Sequence, residues 1–131
     1  MRGIGIAVLV LTVAGCGGEP GRTLHAGNVT VVDQSGLVRS VERPPPPAIE
    51  TLTEPTVTKG DSLTQVLLAW KGSSCVEGWT VRLGGNALTL SIEPTSVPSD
   101  CYGTFAANAV QLDLNRAVDA ADIDVRLVDG S

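Results

Sequence analysis

Trp79-Thr80-Val81-Arg82-Leu83, then Gly84-Gly85-Asn86, then Leu88-Thr89-Leu90-Ser91-Ile92 is the stretch that decides the fold. Each arm alternates apolar and polar residues with a period of two, the period of a strand with one buried face. The glycine pair and asparagine between them supply the backbone freedom of a tight turn. The segment reads as a β-hairpin with Val81, Leu83, Leu88, Leu90 and Ile92 facing a core.

The same pattern recurs on both sides. Downstream, Val110, Leu112 and Leu114 alternate with Gln111 and Asp113. Ile123, Val125 and Leu127 alternate with Asp124 and Arg126. Upstream, Val66-Leu67-Leu68-Ala69-Trp70 is apolar on both faces and reads as a central strand. Val29, Val31 and Val32 precede Asp33-Gln34-Ser35-Gly36, and Leu37, Val38 and Val41 follow. Asp33 suits a turn by bonding nearby backbone and Gly36 by adopting positive φ, so residues 28–43 are expected to form a second hairpin. Pro94 to Asp100 reads as a loop. Asn115 to Asp122 reads as a loop or a single helical turn. Short alternating strands separated by turns predict an all-β chain, a small antiparallel β-sandwich. Its Cys-to-Trp spacing does not match an antibody-type immunoglobulin domain.

Two segments interrupt the pattern. Residues 17–27 are rich in glycine and polar groups and read as a flexible stem. Pro44-Pro45-Pro46-Pro47 favours polyproline II, and the polar stretch to Lys59 extends it into a proline-rich connection over residues 44–59. The folded body is therefore expected at 60–131, with 28–43 belonging either to it or to the stem.

The chain has 131 residues and a formal charge of −5. The acidic balance repels nucleic acid and anionic headgroups, so no nucleic-acid partner is expected, and any membrane attachment must come from the N-terminus. Two Trp, one Tyr and one Phe leave few large residues to fill a core or line a pocket.

The N-terminus carries a distinct signal. Met1-Arg2 is followed by an apolar run, Ile4 to Val13, and by the small residues Ala14-Gly15. That order is a secretory signal peptide over residues 1–15. The run is too short to span a bilayer, which takes about 20 residues. Val13-Ala14-Gly15-Cys16 resembles the lipobox of bacterial lipoproteins. The resemblance implies cleavage before Cys16, a diacylglycerol on its thiol, and a lipidated stem over residues 16–27. It implies a protein held at the extracytoplasmic face of the cell membrane. The run from Gly72-Ser73-Ser74-Cys75 through the hairpin to Asp100-Cys101 and two further strands is similar to small lipoproteins of actinobacteria. That likeness implies a fold and a location and no activity.

Export also bears on the other two cysteines. Cys75 and Cys101 remain once Cys16 is acylated, in a compartment where disulfides persist. One bridge between them closes a loop worth about 3–4 kcal/mol in the chain-entropy model. Tyr102, Phe105 and Trp79 lie close by in sequence and are expected to pack against it, the alternative being an exposed apolar patch of the kind found at interfaces.

The chemistry-bearing residues are sparse. His25, the one histidine, falls in the stem. There is no Gly-x-Ser-x-Gly, no Ser-x-x-Lys and no phosphate loop. Asp119, Asp122 and Asp124 are the densest acidic cluster, and they lack the spacing of a calcium loop. No catalytic residue, metal or cofactor is expected. The best-supported expectation is a non-catalytic binding or structural module of the cell envelope with an envelope protein as partner. The alternatives are an inhibitor or accessory factor of a secreted enzyme, or a carrier of a small apolar ligand.

Overall fold

The structure, a computed structural model, describes residues 22–84, 88–96 and 103–128. The expected signal peptide, Cys16 and Cys101 lie outside the described residues. The chain is mostly β. Among the described residues, nine strands form two sheets. In chain order they are β1 (Arg22–Ala26), β2 (Val29–Asp33), β3 (Val38–Glu42), β4 (Thr56–Lys59), β5 (Gln65–Ser73), β6 (Gly78–Leu83), β7 (Thr89–Ser96), β8 (Phe105–Leu114) and β9 (Asp124–Leu127). The five-stranded sheet runs β1-β2-β6-β7-β9 and the four-stranded sheet β3-β8-β5-β4.

The expected hairpin is β6–β7. Val81 lies opposite Ile92 and Leu83 opposite Leu90. All four are buried, and Leu88 is half-buried at the turn. The inward residues of both sheets form one apolar cluster, with Val31, Val81 and Ile92 from one side and Leu68, Val110 and Leu112 from the other. Trp70 on β5 and Trp79 on β6 meet edge to face within it, ring centroids 5.5 Å apart at 71°. Aromatic pairs favour this geometry because the ring edge is positive and the face negative.

Several expectations from the sequence are corrected. The five-stranded sheet is mixed and not antiparallel, for β2 runs parallel to β6 and β7 parallel to β9. The chain passes through the other sheet between the members of each pair, and only such a crossover lays parallel strands side by side. Residues 28–43 do not form a hairpin. The turn after Asp33 carries the chain out of one sheet and into the other, where β3 pairs with β8. Both edges of β2 are already taken, by β6 and by β1.

β1 comes from the segment read as stem. Ala26 is buried and Leu24 packs against the core. Gly27, at φ 61, makes the tight return to β2. The proline-rich connection is likewise part of the body. It holds a 3-10 turn at Ile49–Thr51, then buried Leu52, then β4. Leu52 covers Ala69 and Ala109 on the outer face of the four-stranded sheet, which explains why β5 reads as apolar on both faces. β7 continues through Pro94, expected in a loop. β9 pairs with β7 only as far as Ile92, so the missing N–H falls beyond that ladder.

The registers sort the connections into two ends. Arg22 lies opposite Asp33, and Asp33 opposite Leu83. Asn115 N donates to Leu37 O, and Leu114 N to Thr64 O. The entry at Arg22, the turns at 34–37 and 60–64, and the connection 115–123 therefore share one end. The Gly27-Asn28 turn and the Ser73–Glu77 corner share the other, where Trp79 N donates to Asn28 O.

Candidate functional site

Cys75 lies half-buried in the corner that leads from β5 to β6. Local hydrogen bonds shape this corner. Cys75 N donates to Ser73 Oγ at 3.2 Å, and Val76 N to Ser73 O at 3.1 Å. Val76 then plugs into the core. The strand entering β8 locks onto the corner: Ser74 N donates to Thr104 O at 2.7 Å, and Gly103 N to Cys75 Sγ at 3.0 Å. A methyl group on Gly103 would overlap Ser74 Oγ and stand 2.7 Å from Cys75 Sγ. Only glycine allows this approach. Gly103 follows Cys101 by two positions in the sequence.

The aromatics divide between core and surface. Trp79 is buried in the core. Phe105 is 58% exposed beside the corner, the alternative to the expected packing against the bridge. Lys71 Nζ stands 5.3 Å from its ring centroid, within range of a cation–π contact. Tyr102 lies outside the described residues. This end therefore presents a tightly held corner, an open aromatic ring and an ammonium group. The sequence marked the cysteines. It left open whether Phe105 packs against them or faces outward, because that depends on which side of β8 its neighbours leave open.

A cavity of about 310 Å³ opens at the opposite end, lined by Lys59, Leu63, Ala117, Val118, Asp119 and Ala120. It lies where the last residue of β4 approaches the 3-10 turn at Ala120–Asp122. Val118 and Ala120 back onto the core. Leu63 is 68% exposed. No sequence signal pointed to this cavity, because its walls come from two connections far apart in the chain.

Other chemistry-bearing residues fall elsewhere. His25 sits on β1 and not in a stem, with Nδ1 3.4 Å from Thr30 Oγ1 on an exposed sheet face. A hydroxyl nucleophile also needs an oriented base and oxyanion donors, and this pair lies apart from the cavity. Asp119 Oδ1 accepts from Ala121 N at 3.0 Å and caps its 3-10 turn. Among the described residues no group of three His, Cys, Asp or Glu side chains converges in a way that would hold a metal ion. Among them, too, no helix is long and apolar enough to cross a membrane.

No family model, no curated protein and no solved structure matches this chain.

Proposed function

We propose that this chain is a lipid-anchored envelope protein. Its body, a small disulfide-stapled β-sandwich, is a non-catalytic module that presents the Cys75 corner to a protein partner. The observation that carries this reading is the run from Met1-Arg2 through Val13-Ala14-Gly15-Cys16. It has the charge, apolar length and small residues of an exported signal ending in a lipobox.

The shape of the body supports it. Arg22 enters at one end, and the Cys75 corner with exposed Phe105 lies at the other. A body anchored through Cys16 would point that aromatic away from the membrane. Aromatic groups are favoured at protein interfaces. Support for the Cys75–Cys101 bridge comes from the seat of Gly103, two positions after Cys101 in the sequence, on the Cys75 sulfur. The same rigid, aromatic end also suits an inhibitor or accessory factor of a secreted enzyme. The carrier reading draws on a cavity at the lower bound of ligand-pocket volumes.

Two measurements test the proposal. Mass spectrometry of the mature N-terminus should find a diacylglycerol thioether on Cys16, and Cys16→Ala should abolish partitioning into the detergent phase. An unmodified N-terminus would refute the anchor. Crosslinking in intact envelopes should recover a partner that Phe105→Ala loses. Recovery unchanged by Phe105→Ala would remove the Cys75 end from the interface.

A further inference from the structure

The Arg22 end carries a second assembly of exposed apolar surface, and the anchor reading gives it an occupant. Leu63 stands in the turn between β4 and β5 at 68% exposure, the most exposed of the large apolar side chains among the described residues. It forms one wall of the cavity whose other apolar walls are Ala117, Val118 and Ala120. This is the end at which the described chain begins. Arg22 is already paired opposite Asp33, so only residues 17–21 separate the body from Cys16. Five residues reach at most about 18 Å when fully extended. That is under half the reach of the longer stem over 17–27.

We propose that Leu63 and the rim formed by residues 117–120 rest on the lipid surface to which Cys16 is tethered. The inference depends on the anchor reading. A short tether holds this end against the bilayer at high effective concentration, so a weak contact is enough to populate it. The charges around the cavity neither drive nor prevent it. Lys59 and Arg116 stand among Asp61, Asp119 and Asp122, a nearly balanced set. Burial of the Leu63 side chain at the interface supplies the attraction. The contact fixes the body upright, with Phe105 and the Cys75 corner facing outward.

The test uses the full lipidated protein in protein-free vesicles of phosphatidylethanolamine and phosphatidylglycerol, read by amide hydrogen exchange. Residues 60–64 and 115–120 should exchange about threefold or more slowly than in Leu63→Ser, while residues 103–105 at the far end match. Leu63→Phe should keep the protection, which a purely local packing role would not require. Ten Gly/Ser residues inserted between Gly21 and Arg22 should weaken it without touching the body. Equal exchange in wild type, Leu63→Ser and the lengthened chain overturns the contact and leaves the anchor standing. Absence of lipid on Cys16 overturns both. Protection that rises with the number of protein molecules per vesicle would assign the surface to a second copy and overturn the lipid assignment.

Discussion

Gly72 lies against the ring of Trp79: a methyl group at position 72 would overlap both Cζ2 and Cη2 of the indole. The two residues sit on different sheets, so this contact sets how closely β5 and β6 approach. It also holds the Trp79 ring for its edge contact with Trp70.

Gly72→Ala should therefore cost about 1–3 kcal/mol, the range for overfilling a packed core. Chemical denaturation should show a lowered midpoint, and the near-ultraviolet signal of the tryptophans should change. An unchanged midpoint and spectrum would mean the sheets are free to separate at this point.

Asp33 is buried where β2 ends, and its carboxylate gathers four donors. Oδ1 accepts from Ser35 N at 3.0 Å, Ser35 Oγ at 2.6 Å and Gly36 N at 3.0 Å, while Oδ2 accepts from Val38 N at 2.9 Å. Asp33→Ala strands three backbone donors and should cost about 3 kcal/mol. Asp33→Asn keeps one acceptor and should cost less. Losses below about 0.5 kcal/mol in both variants, measured by thermal unfolding, would show that the carboxylate is not what holds the crossing between sheets.

Leu52 tests whether the proline-rich connection belongs to the body. Leu52→Ala uncovers Ala69 and Ala109 and should cost about 2–4 kcal/mol, as buried leucine truncations do. Hydrogen exchange should rise along the middle of β5 and β8. A stability loss below about 0.5 kcal/mol, typical of surface positions, would return this segment to the status of a spacer.

Reducing the proposed Cys75–Cys101 bridge should lower stability by about 3–4 kcal/mol in the chain-entropy model. The double variant Cys75→Ser with Cys101→Ser should unfold like reduced wild type and ignore reductant. Gly103→Ala should perturb the same corner by crowding the Cys75 sulfur. Two titratable thiols in the oxidised mature protein would contradict the bridge.

The sequence by itself determined the β class, the β6–β7 hairpin and the inward faces of β8 and β9. Alternation with period two is a local record of which side of a strand meets water. It also marked Cys75, Cys101 and the N-terminal run. It could not show which strands become neighbours. β1 reads as stem because Gly27 and its polar surroundings resemble a linker, yet Leu24 and Ala26 bury against the core. The Asp33–Gly36 turn was legible as a turn, but its chemistry is the same whether the chain folds back or crosses to another sheet.

Only the tertiary structure decided that two strand pairs run parallel, that Leu52 covers the outer face of the second sheet, and that Phe105 turns outward. The separation of Leu63 and Phe105 to opposite ends was decided there as well. Each depends on contacts between segments distant in the chain, and such contacts leave no periodic trace in the residues that make them.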